Sequence, residues 1–569
     1  MHTLIVFCPH DSGTLYAGGN HVFRTHDEGM SWEEISPDLS LNAVERQGHS
    51  GGDITRESAG AEVHATCACV TPSPHRRGEI WASTDDGLVH VTRDDGKSWQ
   101  DVTPPGMPDL AYVGCVELSA HDPDTVYVAA TRYKLADYRP YLFRSMDGGR
   151  SWEAINGDFP EQEITRVLRA DPVRRGLLFV GTETGVFCSR DDGQSWARMP
   201  GGLPVVPVYD LKIKRADLVA GTHGRSFWVL DDITPLRDAH DGGGVRLFAP
   251  NTAIRTKLHF GALSGVKKGT SFSLTFGIGG GITTVEGDEG VHLFEHLDVG
   301  ENPPNGAIVY YWLDKAAPVA LTFCDAAGSE IVTLRSDDTA LPAARRPARQ
   351  CGLNRYVWDM KYPGPDKLDP MPGKAKPLAS EKEGQAGPTV MPGEYQVALT
   401  VGSETQSAKF TIVKDPRLST TAEGYARQFA LLKELTGSLS KLNAAVNRIR
   451  RIKRQLDALP DRLGGSHAEL ASAATSLRER LDAIEGVLVD VHRASPRDVL
   501  RNPAGLNDTL VDLINTVAIS DTAPTSQADA VSHEIIGHVE AEIAKLDALV
   551  AADLGEINRL AASVAAVVS

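Results

Sequence analysis

The sequence lacks an excess of basic residues: among its 569 residues, 58 Lys and Arg stand against 75 Asp and Glu, for a formal net charge of −17. Binding to nucleic acid or to an anionic membrane needs a positive face, so this balance argues against both kinds of partner. It suits a ligand that is neutral or cationic. The hydrophobic fraction of 41% and the charged fraction of 23% are ordinary for a folded globular protein.

Long apolar runs are missing as well. No segment approaches the roughly 18 apolar residues of a membrane span. The first residues carry no basic segment, and the apolar run at residues 4–7 is short. The sequence therefore predicts neither a membrane anchor nor a signal peptide, and it leaves the compartment of the protein open.

Cysteine is sparse and odd in number. The seven residues are Cys8, Cys67, Cys69, Cys115, Cys188, Cys324 and Cys351. Small domains held by disulfides contain more cysteines, in an even number. Cys67 and Cys69 lack the second pair of cysteines that would complete a metal site. His533, Glu534 and His538 approach the zinc motif H-E-x-x-H, but a five-residue separation turns the imidazoles about 140° apart on a helix. We expect Cys67 and Cys69 to be buried thiols on one strand, and we expect no metal and no cofactor.

Tryptophan, glycine and proline are scarce in the last quarter of the chain. All eight Trp lie at or before Trp358, and only eight of 54 Gly and four of 33 Pro follow Pro416. An N-terminal part rich in these residues is typical of strands and turns, whereas a C-terminal part with few of them is typical of helices. The glycine-rich segment 277–282 lacks the helix and the Lys-Ser/Thr of a phosphate-binding loop, and we interpret it as a flexible loop.

An octet with the pattern [ST]-x-D-x-G-x-S-W occurs four times in the first 200 residues. Its Asp, Gly and Trp are Asp27, Gly29 and Trp32; Asp94, Gly96 and Trp99; Asp147, Gly149 and Trp152; and Asp191, Gly193 and Trp196. The Asp positions are 67, 53 and 44 residues apart, about the length of one four-stranded sheet.

The pattern has a physical reason. The Asp carboxylate can accept backbone N–H groups of a turn, and the Gly can adopt a positive φ. The Trp is large enough to pack between neighbouring sheets. We therefore predict a structural role for these twelve residues.

Each octet follows two short runs rich in β-branched and aromatic residues, which we predict to be the second and third strands of a blade. The first strands are predicted at 3–8, 62–70, 113–118, 165–170 and 208–213. A fifth unit at 217–232 has two strands but no octet, and resembles a closing blade. The front of the chain, residues 1–237, is thus predicted to form about five blades.

The octet is similar to the Asp-box, or BNR, motif of sialidase-like β-propellers. Segments 51–64, 81–92 and 220–237 resemble the C-terminal half of bacterial BNR-repeat glycosyl hydrolases related to the ten-bladed N-terminal domain of sortilin. The resemblance implies additional N-terminal blades and exported relatives. On this ground we expect an incomplete propeller whose other half is a further N-terminal part or a second chain.

Behind the propeller we expect two further domains, which make the fold class mainly β with an α-helical C-terminus. Alternating strands over residues 238–416 resemble an Ig-like β-sandwich, with a mobile loop at 363–392. From residue 417 to 569 the apolar period becomes helical. We predict a bundle of four helices at about 420–459, 466–493, 505–519 and 525–566.

Propeller topology places the loops between strands two and three, and those between blades, on one rim. That rim receives four candidate catalytic carboxylates, Asp85, Asp86, Glu183 and Glu62. The candidate substrate-binding residues on it are Asp53, Arg56, Arg132, Tyr133, His223 and Arg225. Glycoside hydrolysis needs two carboxylates, whereas sialidases use three Arg and a Tyr, which Arg56, Arg132 and Arg225 with Tyr133 or Tyr209 could imitate.

Two functions remain open on these residues. One is a glycoside hydrolase or another carbohydrate-active propeller of the BNR type. The alternative is a non-catalytic, sortilin-like propeller that binds peptides or proteins, in which the polar rim residues only solvate loops. A carbohydrate or peptide ligand is thus expected, and fold alone does not decide between them.

Overall fold

The computed structural model describes residues 5–48, 50–51, 56–57, 64–238, 243–256, 272–273, 281–286, 292–296, 304–369, 386–459, 468–492 and 504–568. The chain separates into two compact units, Met1–Ala239 and His240–Ser569. Asp53, Glu62 and the predicted loop residues 370–385 lie outside the described residues. No helix in the described part of the chain is long and apolar enough to cross a membrane.

The first unit contains a series of antiparallel sheets. Sheets 1 to 4 have four strands each, and sheet 5 has three. Sheet 1 comprises β1 (Ile5–Cys8), β2 (Asp11–Gly18), β3 (Val22–Thr25) and β4 (Glu33–Glu34), and a hairpin of β5 (Ser50–Gly51) and β6 (Arg56–Glu57) follows it. Sheet 2 comprises β7 (Cys67–Pro72), β8 (Ile80–Thr84), β9 (Val89–Thr92) and β10 (Gln100–Asp101).

The next three sheets repeat this plan. Sheet 3 has β11 (Tyr112–Leu118), β12 (Val126–Arg132), β13 (Asp137–Ser145) and β14 (Glu153–Ala154). Sheet 4 has β15 (Thr165–Ala170), β16 (Leu178–Thr182), β17 (Val186–Ser189) and β18 (Ala197–Arg198). Sheet 5 has β19 (Val208–Lys214), β20 (Asp217–Thr222) and β21 (Phe227–Leu230), and the short helix α1 (Thr234–Arg237) follows it.

The four octets form turns between the third and fourth strands of sheets 1 to 4. In the second octet, Ser98 donates its backbone N–H to Asp94 Oδ1 at 2.9 Å and its hydroxyl to Asp94 Oδ2 at 2.6 Å. The glycines have φ between 87° and 91°. Thr92, the residue that opens this second octet, completes the turn, since its hydroxyl donates to Asp94 and accepts the Gly96 N–H.

The Asp residues of these turns make the first unit sensitive to acid. The serine hydroxyl bonds lower the pKa of Asp27, Asp94 and Asp147 from 3.8 to about 2. Because the folded pKa lies below the unfolded one, these carboxylates contribute stability above pH 4, and this contribution is lost as the pH falls from about 4 to 2. We expect the melting temperature, followed by Trp fluorescence, to fall over this range. The triple Asp→Asn variant should have a flatter profile, and identical slopes would contradict the argument.

The second unit begins with two sheets that share one apolar core. One sheet has the order β22 (Arg246–Leu247), β27 (Ala307–Leu313) and β30 (Gly352–Trp358). The other has the order β23 (Ala253–Arg255), β32 (Glu404–Lys414), β31 (Gly393–Val401), β28 (Val319–Asp325) and β29 (Glu330–Arg335). A small sheet consists of β24 (Phe272–Ser273), β25 (Gly281–Glu286) and β26 (His292–His296), which lie between β23 and β27 in the sequence. The end of the predicted 277–282 loop is therefore a strand.

Helices complete the second unit close to the predicted bounds. They are α2 (Ala422–Asp457), α3 (Ala468–Leu488), α4 (Leu506–Ala518), α5 (Ser526–Leu549) and α6 (Gly555–Val568), with a π-helical turn at Val550–Leu554 between the last two. Leu442, Val446 and Ile449 of α2 are fully buried in the shared helical core. Thr421 and Thr525 cap α2 and α5 by accepting backbone N–H groups.

Candidate functional site

The starts of the first strands and the ends of the second strands lie at one edge of each sheet in the first unit. Their antiparallel register shows this, since Tyr112 pairs with Thr131, Thr165 with Thr182, and Val208 with Thr222. We call this edge the rim. It carries the described members of the predicted site except Arg56, which lies in the separate β5–β6 hairpin.

A cavity of about 260 Å³ opens at the rim beside sheets 2 and 3. Tyr112 and Tyr133 contribute aromatic surface to it, and Asp85 contributes a carboxylate. Its other lining residues are Arg46, His64, Leu110, Thr131, Arg132, Lys134 and Leu135. Burial raises the pKa of the Tyr112 hydroxyl, so this phenol stays neutral and can donate a hydrogen bond.

The adjacent carboxylates Asp85 and Asp86 have different environments. Asp85 Oδ1 accepts the Thr66 backbone N–H at 2.8 Å, and its Oδ2 lies 3.5 Å from His64 Nδ1. Asp86 is 1% exposed and accepts the Thr84 hydroxyl and, from the loop after sheet 1, the Leu41 backbone N–H. Asp85 therefore faces the cavity, whereas Asp86 joins two sheets beneath the surface and is closed to a substrate.

Glu183 lies at the rim of sheet 4, where its Oε2 accepts from two nitrogens of Arg166, Nε at 2.8 Å and Nη2 at 2.5 Å. The Arg166 guanidinium lies 5.0 Å from the Tyr133 ring and 4.1 Å from the Tyr209 ring, within cation–π range of both. The His223 ring is 5.0 Å from that of Tyr209. A strip of aromatic rings around one arginine thus continues the rim from the cavity to sheet 5.

The remaining predicted rim residues are more dispersed. Arg132 lines the cavity, donates to the Asp109 carbonyl at 2.9 Å, and lies 3.6 Å from Asp137. Arg225 is exposed, and its carbonyl accepts the Trp228 indole N–H. Arg56 lies in β6, where only the backbone is described. The arginine placed between Tyr133 and Tyr209 is Arg166, which the sequence interpretation did not select.

Sequence reasoning also missed a charged ladder on the first strands of sheets 3 to 5. Arg169 Nη2 lies 2.7 Å from Asp210 Oδ1, and Arg169 Nη1 lies 3.5 Å from Glu117 Oε2. Burial raises the pKa of Glu117, and this effect is larger than the lowering by the positive charge of Arg169. The sequence did contain a signal for this ladder, because each of three consecutive predicted first strands includes a charged residue.

Metal-binding geometry was searched over the part of the chain that is described. There, no group of three or more His, Cys, Asp and Glu side chains could hold a metal ion. His533 lies on α5, where its Nδ1 contacts the Asp529 carbonyl at 2.6 Å. The described polar side chains that line the rim cavity are a carboxylate, two phenols, an imidazole and basic groups.

Comparisons with known proteins give two kinds of similarity. No family model matches the chain. A probable oligoxyloglucan-reducing end-specific xyloglucanase of Neosartorya fischeri is 26% identical over 27% of this chain and 21% of its own length. Xyloglucanase Xgh74A of Acetivibrio thermocellus is 26% identical over 23% of this chain and 19% of its own length. This chain thus spans about a fifth of the curated relatives that it matches.

Among solved structures, the GH74 enzyme of Niastella koreensis is 12% identical, with a TM-score of 0.31, over 71% of this chain and 56% of that one. By its own strands and helices the chain is a mainly β protein with a helical C-terminus, and it has a distant sequence similarity to xyloglucanases.

Proposed function

We propose that the five sheets are blades of an Asp-box β-propeller and that the rim cavity binds a polysaccharide, as part of a glycoside hydrolase. The observation that carries this proposal is the cavity itself, with two tyrosines beside Asp85, Arg132 and Lys134. Pockets that bind neutral organic ligands combine apolar or aromatic walls with a few converging polar groups. The C–H face of a sugar ring can pack on the tyrosines while its hydroxyls bond to the charged groups.

The similarity to xyloglucanases supports a xyloglucan as the substrate. A cavity of about 260 Å³ is slightly smaller than the usual ligand pocket, so it suits one sugar unit. The strip of Tyr133, Arg166 and Tyr209 would extend the contact along the polysaccharide. Among the described candidate carboxylates, Asp85 is the one that lines the cavity. We assign Asp85 as one of the two carboxylates that glycoside hydrolysis needs, and Glu183 as the residue that positions Arg166.

Replacing Tyr133 tests polysaccharide binding. We expect Tyr133→Ala to weaken xyloglucan binding about tenfold, the loss of roughly 1.4 kcal/mol that one aromatic contact can supply. Tyr138→Ala is the matched control, because Tyr138 is an exposed tyrosine of the same sheet outside the cavity. Affinity would be measured by calorimetry, and turnover by the release of reducing ends. The Asp85→Asn variant should abolish turnover. Equal affinities of the two Tyr variants would contradict the site.

The alternative, a peptide-binding propeller, is favoured by one observation. All four residues of β21, Phe227–Leu230, are exposed, and among the described strands none pairs with its outer edge. A free edge can accept an extended peptide by strand addition. Failure of xyloglucan binding and turnover in the protein with both tyrosines intact would favour this function.

A further inference from the structure

The loop between the second and third strands is longer in sheet 3 than in its neighbours. In sheets 2 to 5 this loop begins at a threonine that pairs with the first strand. It covers residues 84–88, 182–185 and 222–226 in sheets 2, 4 and 5, but residues 131–140 in sheet 3. Residues 131–135 of the longer loop line the rim cavity. Since binding residues concentrate on loops that a rigid scaffold positions, this added length indicates a ligand site.

The walls of the rim cavity carry an excess of basic side chains. Arg46, Arg132 and Lys134 line it, against one carboxylate, that of Asp85. This balance is the reverse of that of the whole chain, whose formal net charge is −17. A cavity lined mainly by one sign of charge concentrates ligands of the opposite sign. The excess therefore predicts a ligand with an anionic group.

The nearest carboxylate to Arg132 neutralises this residue only in part. Arg132 Nη1 lies 3.6 Å from Asp137, longer than a charge-assisted hydrogen bond. The Asp137 carboxylate accepts instead from Arg139, through Nε at 2.9 Å and Nη2 at 2.8 Å, and from the Tyr141 hydroxyl at 2.6 Å. Arg132 Nε donates to the Asp109 carbonyl. The side chain is 29% exposed, so its terminal nitrogens remain open to a ligand.

Lys134 and Arg46 line the cavity without an ion pair to any residue that the structure describes. The Lys134 ammonium lies 5.9 Å from the centre of the Tyr112 ring, at the outer limit of a cation–π contact. Both residues are exposed. An anionic group in the cavity can therefore pair with them without displacing a carboxylate of the described chain.

Asp85 does not cancel this excess of positive charge. Its Oδ1 accepts the Thr66 backbone N–H at 2.8 Å, and its Oδ2 lies 3.5 Å from His64 Nδ1. Both contacts tie the carboxylate to the beginning of sheet 2, whereas Arg132 and Lys134 belong to the loop of sheet 3. The cavity thus has an acidic side and a basic side.

We propose that the rim cavity takes a sugar unit that carries a carboxylate, a uronic acid, with Lys134, Arg46 and Arg132 around that carboxylate. This inference rests on the proposed binding of a polysaccharide and specifies one of its sugar units. The rings of Tyr112 and Tyr133 would pack on the C–H face of the sugar, as they would for a neutral unit. A neutral xyloglucan then binds through the tyrosines, whereas an acidic polysaccharide gains the basic groups as well.

Two methyl glycosides that differ only in the group at carbon 6 test the inference on the full chain. Methyl β-D-glucuronide has a carboxylate where methyl β-D-glucoside has a hydroxymethyl group. We expect the glucuronide to bind about tenfold more tightly at low ionic strength, the gain that two exposed ion pairs can supply. About 0.5 M NaCl should remove most of this preference, because salt screens exposed charges. Titrations followed by saturation-transfer NMR measure both affinities.

Charge variants connect the preference to the basic side of the cavity. Lys134→Gln and Arg46→Gln should each reduce it about threefold, whereas Lys134→Arg should retain it, because the charge is kept. Lys97→Gln is the matched control, since Lys97 is an exposed lysine in the octet of sheet 2 and lies outside the cavity. This variant should keep the full preference.

Equal affinities for the two glycosides would overturn the inference, and so would a preference that the double variant Lys134→Gln with Arg46→Gln leaves undiminished. Acetate that binds as tightly as the glucuronide would also overturn it, since the site would then recognise a carboxylate without the sugar. Xyloglucan separates this result from the proposed function. If the glucuronide shows no preference while Tyr133→Ala still weakens xyloglucan binding, only the acidic sugar is wrong; if xyloglucan does not bind either, the polysaccharide site is wrong as well.

Discussion

Gly96→Ala is expected to lower the free energy of unfolding of the first unit by about 3 kcal/mol. Gly96 has a φ of +90°, and a Cβ there would lie 2.6 Å from the Ile35 carbonyl oxygen. A side chain at positive φ costs about 1–2 kcal/mol, and forcing an added carbon into a packed contact costs about 1–3 kcal/mol more. Chemical denaturation followed by Trp fluorescence measures the change.

Gly29→Ala is the matched control. Gly29 occupies the same octet position with a φ of +91°, but the three atoms nearest to an added Cβ all belong to Trp32, at 3.5 Å or more. This variant should therefore bear only the backbone cost, about 1–2 kcal/mol. Equal losses in the two variants would show that the contact between sheets contributes nothing.

The turns of the first unit could be predicted from sequence because their interactions are local. Asp94 and its acceptor bonds lie within one octet, so four copies of the pattern define the hydrogen bonding and the positive φ. The role of the leading Ser or Thr was equally local, although only the structure shows that Thr92 both donates to Asp94 and accepts from Gly96. The helices were predictable for the same reason, since their apolar period repeats every few residues.

The rim could be predicted only in outline. Topology places Asp85 and Asp86 in the same loop, but sequence cannot tell which carboxylate points outward, because a turn has no fixed alternation. The structure buries Asp86 and leaves Asp85 on the cavity. Arg166 escaped prediction because the rings that it contacts, Tyr133 and Tyr209, belong to the two neighbouring sheets.

Long-range pairing in the second unit was likewise beyond the sequence. An Ig-like sandwich was expected, and two sheets do share a core, but β23 pairs in parallel with β32 at Ala253 and Ile412. These segments are more than 150 residues apart. No local pattern encodes such a partner, and the same holds for the ion pair that β23 brings to the helices.

Arg255→Met is expected to destabilise the second unit by about 3–5 kcal/mol, the usual cost of leaving a buried charge without its partner. Arg255 and Asp521 side chains are 3% and 1% exposed, with Nη2 and Oδ1 2.7 Å apart. Arg255 Nη1 also donates to the Val390 carbonyl, and the guanidinium lies 4.9 Å from the Tyr425 ring. The pair joins the sandwich to the loop between α4 and α5.

Denaturation of the second unit, followed by far-UV circular dichroism of its helices, tests this expectation. The Arg417→Met variant is the control, because Arg417 pairs with Asp415 at 2.6 Å but is 74% exposed, and exposed pairs contribute at most about 1 kcal/mol. The double variant Arg255→Met with Asp521→Leu should regain part of the loss, since it removes both buried charges rather than one. If the single and double variants were equally unstable, the loss would come from packing of the arginine stem, and the ion pair would not be what joins the sandwich to the helices.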